Sequence, residues 1–203
     1  DGFVLPRNTV LRSRLTEGEK TPCEFRTSAD LTLWPIEITE AEYIDSRGEL
    51  VAAGVAGTTN ARAAIRLRIK RRDGEKISEL PMKDLNIHLR GGSANNWSLL
   101  ELICTKTTAI AARSTDRRAD WSLQMPKAKV VHRGFERDEA LLPTPRRSMD
   151  GYRLLQEYFA MPERFLFIDL QGIDPALQRS ESDEVDIYIL LNDSERDLRQ
   201  AVV

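Results

Sequence analysis

The sequence predicts an α+β protein dominated by strands, with antiparallel or mixed β-sheets in a sandwich-like arrangement and two or three short helices. Three observations predict it. Apolar and charged residues alternate along "AAIRLRIKR", which is typical of a strand with one buried face. "SANNWSLLELIC" and "GYRLLQEYFA" carry apolar residues at helical spacing. The other apolar stretches are short and separated by Gly, Pro, Ser and Asp, which favours many strands.

Short strands are predicted through the N-terminal part of the chain. Val4–Leu5 and Thr9–Leu15 flank the turn-like "PRN", and the stretches "CEFRT", "LTLWPIEI" and "AEYID" follow as further strands. Residues 48–60 are rich in Gly, Ala and Thr and are interpreted as a loop or a weak edge strand.

The clearest strand runs from Ala63 to Arg71. Its alternation predicts one face that is buried (Ile65, Leu67 and Ile69) and one that meets solvent (Arg66, Arg68 and Lys70). Asp73-Gly74 tolerates the positive φ angles of a tight turn, so Glu75–Leu80 is predicted to return as its antiparallel partner. If the basic face docks anything, an acidic protein surface is the expected partner, because arginine pairs with carboxylates through two hydrogen bonds.

The segment after this turn repeats the alternation. "DLNIHL" predicts a strand, a helix is expected near 93–104, and further strands are predicted at "TTAIAARS", "WSLQMP", "KVVHRGF", "FLFIDL" and "VDIYILL". A short helix is predicted to start at Ser194. Trp97, Leu100 and Cys104 share one helical face, so Cys104 is expected to be a buried structural thiol.

An aromatic cluster follows a proline-punctuated connection. Gly151–Ala160 is predicted to be a helix, Pro162 to lie in a turn, and Phe165–Leu170 to be an interior strand. The candidate core or interface residues are Tyr152, Leu155, Tyr158, Phe159, Phe165 and Phe167.

Helical periodicity favours burial for this cluster. Leu155 and Phe159 are expected to pack on Phe165 or Phe167, while Arg153, Gln156 and Glu157 are expected to point away from the core. Phe159→Ala would then cost about 3–5 kcal/mol, and Glu157→Ala very little. Tyr158 suits either a core edge or an interface.

Two regions are expected. The first is a β-rich domain over residues 1–133 with the helix near 93–104, and the second is a helix–strand unit over 134–203, packed on or continuous with the same core. The chain opens in the middle of a pattern, at "DGFVLPRNTVL", and is interpreted as a fragment of a longer protein.

Composition excludes several classes of protein. Thirty basic residues oppose 32 acidic ones, so the net charge of −2 gives no general attraction to nucleic acid or anionic membranes. No apolar run approaches the length of a membrane span. Two cysteines, Cys23 and Cys104, indicate a reducing compartment rather than a disulfide framework. Neither His88 nor His132 has a cysteine at ligand spacing, so no zinc site is expected.

Catalytic motifs are equally scarce. No phosphate loop, nucleophile elbow or paired-histidine metal motif occurs. Pairs drawn from Asp138, Glu139, Asp169 and Asp174 would be needed for glycosidic acid–base chemistry. A carbohydrate-active or hydrolytic β-sandwich enzyme therefore stays an alternative, as does a basic-faced nucleic-acid-binding module. No catalytic, cofactor-binding or metal-binding residue is assigned.

Two segments carry a resemblance to a known family. "GFERDEALLPTPRRSMDGYRLLQEYFAMPERFLFIDLQGI" resembles the signature of TssF, the baseplate wedge subunit of type VI secretion systems, also called ImpG or VasA. Met161 and Ile168 stand where that family usually has Phe. "LPRNTVLRSRLTEGEKTPCEFRTSADLTLWPIEI" is similar to the family's upstream segment. Asn8 stands where that family usually has Gly, and a left-handed turn position accepts this replacement. This first segment alone also resembles phage baseplate wedge proteins.

The resemblance implies a structural, non-enzymatic role without cofactors. The implied partners are TssG, TssE, TssK, a second TssF copy and the VgrG spike, in a baseplate from which the sheath of TssB and TssC polymerises. It implies no nucleic acid and no direct membrane insertion. The implied location is cytoplasmic, at the inner-membrane face, and the chain would be the middle region of such a subunit.

Overall fold

A computed structural model describes residues 2–15, 18, 20–90, 93–116, 119–142 and 149–195. Its strands are β1 (Phe3–Leu5), β2 (Val10–Arg12), β3 (Glu24–Arg26), β4 (Leu31–Leu33), β5 (Ile36–Ile44), β6 (Ala63–Arg71), β7 (Asp84–His88), β8 (Thr107–Ser114), β9 (Ser122–Met125), β10 (Lys129–His132), β11 (Phe167–Gln171) and β12 (Glu184–Leu191). Its α-helices are α1 (Arg47–Ala52), α2 (Ser93–Lys106), α3 (Asp150–Ala160) and α4 (Asp174–Arg179). The α+β class dominated by strands is confirmed.

The chain divides into two compact units. The first, called here the sheet unit, comprises residues 35–132 and the described part of 166–203. The second, called the ribbon unit, comprises residues 2–34 and 133–165. This division differs from the expected boundary at 133/134. The reason is that β11 and β12 hydrogen-bond to β7, β6 and β8, which come much earlier in the chain.

The sheet unit contains two antiparallel sheets. One has the strand order β5-β6-β12-β8-β9 and the other β10-β11-β7. Both sheets and α2 border an apolar cleft of about 150 Å³ that includes Leu67, Ile103 and Ile168 in its lining. The central strand β12 is buried almost throughout, since it has a strand on each side, one of its faces is apolar, and the buried Asp186 on its other face is paired with Arg68.

The predicted hairpin after β6 is wrong, although its turn is right. Gly74 has the expected positive φ, of 75°. The residues beyond it form a 3₁₀ helix at Ile77–Glu79 and do not pair with β6, whose two neighbours are β5 and β12. The buried Arg71 guanidinium holds this segment, because it contacts the carboxylates of Asp73 and Glu75 and donates to the carbonyl oxygen of Lys76, each at 2.7 Å.

Three further expectations need correction. Residues 47–52 form α1 where a loop or edge strand was expected, and α4 was not predicted. Cys104 is exposed, because the buried side of α2 is formed by Leu99, Leu100 and Ile103 and leaves it outside. The helix predicted from Ser194 falls largely on residues outside the described ranges.

The ribbon unit begins with a long two-stranded ribbon in which β1 pairs with β4 and β2 with β3. Asn8 lies between these pairings with φ of 67°, which is the left-handed turn position expected from its replacement of a family glycine. Side chains of the quoted N-terminal segment stabilise this turn. The Thr27 hydroxyl donates to the Pro6 carbonyl oxygen at 2.8 Å, and Asp30 accepts from the Arg7 backbone N–H at 2.7 Å.

Candidate protein-interaction surface

Helix α3 presents its apolar residues to solvent. Tyr152, Leu155 and Phe159 follow one another at i, i+3 and i+7 and therefore lie along one face of the helix. Tyr152 is 67% exposed and Phe159 is 81% exposed. Tyr158 lies beside them, with its ring edge-on to that of Phe159 at a centroid distance of 5.6 Å. We call the surface formed by Tyr152, Leu155, Tyr158 and Phe159 the α3 face.

The opposite side of α3 buries its charged residues. Arg153 is 3% exposed and Glu157 is 1% exposed. One Glu157 carboxylate oxygen accepts from the backbone N–H groups of Leu141 and Leu142 at 3.0 and 3.1 Å. The other contacts the guanidinium groups of Arg153, at 3.1 Å, and Arg164. Glu157 is thus paired and hydrogen-bonded on both oxygens, as a buried carboxylate requires.

Two arginines bind backbone carbonyls of the segment that precedes α3. Arg153 donates to the carbonyl oxygen of Phe135 at 3.0 Å, and Arg164 donates to that of Glu139 at 2.7 Å. Burial lowers the pKa of Arg164, and the nearby Arg153 cation lowers it further. Arginine has so high an ordinary pKa that Arg164 stays charged all the same.

Glu139 organises the same segment from its other side. Its carboxylate accepts from the backbone N–H groups of Gly134, at 2.7 Å, and Glu136, at 3.0 Å, and pairs with Arg133. With Glu136 it forms a capping box around the 3₁₀ helix Arg137–Glu139. Arg7, from the N-terminal ribbon, donates to the carbonyl oxygens of Asp138 and Ala140, both at 2.8 Å.

These contacts explain why α3 is oriented with its charges inside. The segment from Arg133 to Leu142 has little regular structure, so its backbone groups need partners from side chains. Glu139, Glu157 and three arginines supply them. We call these five side chains, of which Glu139, Arg153, Glu157 and Arg164 are buried and Arg7 is half-buried, the buried charge cluster.

The core interpretation of the aromatic cluster is therefore wrong for its helical members. Tyr152, Leu155, Tyr158 and Phe159 are exposed, and of the charged residues expected outside, Arg153 and Glu157 are buried. Gln156 is exposed as expected. Phe165 is buried beneath Phe135 and Tyr158, with ring centroids 5.4 and 6.1 Å away. Phe167, on β11, is half-buried and stacks on His88 at 4.3 Å.

The candidate docking face on β6 is engaged within its own sheet. Its alternation is as predicted, with Ile65, Leu67 and Ile69 buried and Arg66, Arg68 and Lys70 only partly so. Arg68 contacts Asp186 on β12 at 2.8 Å and Glu40 on β5 at 2.7 Å. Arg66 contacts Glu40 and Glu42 at 2.8 and 2.9 Å. These carboxylates neutralise the face that the sequence suggested was basic.

Two of the four carboxylates considered for catalysis have structural partners. Asp169 is buried on β11 and accepts from the Asn86 amide at 2.6 Å, and Glu139 belongs to the buried charge cluster. In the described ranges, no group of three or more His, Cys, Asp or Glu side chains could hold a metal ion. Over the same residues, no helix has the length and apolarity to cross a membrane.

The sequence did contain one signal for the buried charge cluster. Arg153 and Glu157 are four residues apart, and Arg164 follows Pro162 by two residues, so three charges of the same motif could converge after the chain turns. An i,i+4 ion pair is common on solvated helix faces, however, so the pattern alone does not distinguish a buried pair from a solvated one.

A unit with a charged interior and an apolar exterior is typical of a protein that makes contacts with other proteins. A family model described as "Type VI secretion system, TssF" matches residues 1–203, and the chain belongs to this family.

Two relatives illustrate the match. The type VI secretion system component TssF1 of Pseudomonas aeruginosa PAO1 is 33% identical over 201 residues, which is 99% of this chain and 32% of that protein. This chain thus spans about a third of the relative's length. A chain in the cryo-electron microscopy structure of a TssK-TssF-TssG baseplate subcomplex matches 96% of this chain and 34% of its own length with a TM-score of 0.74. At 18% identity, that likeness shows a shared fold.

Proposed function

We propose that this chain is part of a structural baseplate subunit of a type VI secretion system and has no catalytic activity. The observation that carries the proposal is membership of the TssF family over residues 1–203. The α3 face supports it independently, because exposed aromatic side chains are the usual anchors of protein–protein interfaces.

TssG and TssK are the partners that we propose first, since the chain that shares this fold belongs to a TssK-TssF-TssG baseplate subcomplex. TssE, a second copy of the subunit and the VgrG spike are further proposed partners. The proposed location is the cytoplasmic side of the inner membrane, where the baseplate would support assembly of the sheath and tail tube.

The experiment is co-expression of the full-length protein with TssG and TssK from the same gene cluster. We expect the three proteins to co-elute from size-exclusion chromatography after capture through a tag on TssK. Separate elution at micromolar concentrations would contradict the proposal, as would turnover of a glycan, peptide or nucleic acid that one point substitution abolishes.

A further inference from the structure

We propose that the α3 face binds an amphipathic α-helix of another protein, which lays an uncharged apolar stripe along Tyr152, Leu155 and Phe159. This inference rests on the proposed function, because it assigns a kind of partner to a subunit of an assembly. It goes further by naming the surface, the shape of the occupant and its charge.

The shape of the partner follows from the spacing of the exposed residues. Side chains at i, i+3 and i+7 form a ridge nearly parallel to the helix axis, and a ridge with this spacing is the usual seam between two helices packed along each other. From Tyr152 to Phe159 the ridge rises over seven residue steps, so it is about 10 Å long and matches about two turns of a partner helix.

The charge of the partner follows from where the charges of α3 lie. Arg153 and Glu157 are buried in the charge cluster, and Asp150 pairs with Arg137 at 2.7 Å. Every other residue of α3 is uncharged, in a chain that is 31% charged. Anionic lipid and nucleic acid both bind through cations, and a charged protein surface would lose its hydration here without gaining a partner. The partner surface that matches the α3 face is therefore an uncharged apolar stripe.

The available area indicates the centre of an interface. Aromatic side chains bury about 150–250 Å² each, so the exposed parts of Tyr152, Tyr158 and Phe159 offer about 400 Å². A standard interface buries about 800 Å² on each partner. The α3 face therefore supplies about half of what a stable complex needs, in the aromatic residues that most often dominate binding energy.

The buried charge cluster makes this ridge suitable for binding. It fixes the inner side of α3 to the backbone between Phe135 and Leu142 through several charge-assisted hydrogen bonds. A helix held in this way presents its exposed side chains without a large ordering cost on association.

The test is photo-crosslinking in the full-length protein within its complex with TssK and TssG. A p-benzoylphenylalanine replaces Phe159, and the crosslinked peptide is identified by mass spectrometry. We expect it to come from an apolar, uncharged helical stripe of a different polypeptide. Crosslinks within the same polypeptide, to a second copy, to lipid, or to no peptide at all would overturn the inference.

A matched pair of substitutions measures the energetic role of the ridge. Leu155 on α3 and Val51 on α1 are both aliphatic, both helical and both 56% exposed. We expect Leu155→Asp to weaken the complex by about 30-fold or more, as at a binding hot spot, and Val51→Asp to leave it unchanged. Equal affinities for the two variants would overturn the inference. If the wild-type proteins form no complex, the proposed function itself fails, whereas a wild-type complex that tolerates Leu155→Asp removes only this inference.

Discussion

The two units of this chain place their apolar residues in opposite ways. Of the 37 buried apolar residues that the structure describes, 35 lie in the sheet unit and two, Ala140 and Phe165, in the ribbon unit. Of the 19 exposed large apolar residues, 17 lie in the ribbon unit and two, Ile38 and Val51, in the sheet unit. The sheet unit follows the usual rule of burial, and the ribbon unit reverses it.

This difference shows that the residues of one family motif can have two separate roles, one inside the unit and one on its surface. In the ribbon unit, the charged motif residues form the interior and hold an irregular backbone segment. The aromatic motif residues of α3 lie outside, where they can contact another protein. Ribbon residues behave similarly, since Leu11 and Phe25 face each other across β2 and β3 and are both exposed. By itself, such a unit leaves most of its large apolar side chains in solvent. It can bury them when it associates with another protein.

The largest expected effect lies in the buried charge cluster. Glu157→Ala would leave Arg153 and Arg164 as buried cations without their carboxylate, and would remove the acceptor of two backbone N–H groups. We expect a loss of about 3–5 kcal/mol in the stability of the ribbon unit. Hydrogen exchange of peptides from 133–142 and 149–165 measures it, with the exposed neighbour Gln156→Ala as control. Unchanged protection in Glu157→Ala would contradict the charged interior.

A core truncation in the sheet unit sharpens the comparison. Ile187 is fully buried on β12, opposite Leu67 on one side and Ala112 on the other. Ile187→Ala should lower the free energy of unfolding by about 2–5 kcal/mol, because it removes buried methyl groups and leaves a cavity. Urea denaturation measures this loss. Ile38→Ala, at an exposed position of β5, should cost much less. Similar losses for both variants would mean that the sheet interior is not where the structure places it.

A row of alternating charges crosses the larger sheet. We expect substitutions in this row to lower the free energy of unfolding by less than the substitutions described above. Glu40, Arg68, Asp186 and Arg113 are successive cross-strand partners on β5, β6, β12 and β8. Arg68→Ala removes a two-bond contact to the buried Asp186 carboxylate and should cost about 1–3 kcal/mol. Lys70→Ala, which loses a more exposed pair with Asp183, should cost at most about 1 kcal/mol. Equal melting temperatures for the two variants would show that the row contributes nothing.

The smallest expected change in stability is at the most exposed aromatic residue of α3. Phe159→Ala removes a side chain that is 81% exposed, so the free energy of unfolding should change by about 0.5 kcal/mol or less. This reverses the expectation drawn from helical periodicity, which assigned Phe159 to the core. Thermal unfolding of the chain measures it. A loss of several kcal/mol would restore the core interpretation and remove the α3 face.

The sequence by itself determined most of the local structure. Alternation identified β6 and β7, helical spacing identified α2 and α3, and the turn at Asp73-Gly74 was predicted correctly. These signals are local, because they depend on residues a few positions apart. The family was also legible in the two quoted motifs, and it is confirmed by the match over residues 1–203.

Which side of a helix or strand is buried depends on the tertiary structure, and for α3 it could not be predicted from the local pattern. Periodicity shows that α3 has an apolar side and a charged side, and burial of the apolar side is the usual outcome. Here Arg164 and the backbone N–H groups of Leu141 and Leu142 meet the charged side of α3, and Arg7, from much earlier in the chain, binds the backbone of the same irregular segment. Likewise β6 pairs with β5 and β12 and not with residues 75–80, which follow it directly in the sequence. The free energy of burying a charge depends on its partners, and those partners exist only once distant segments have come together.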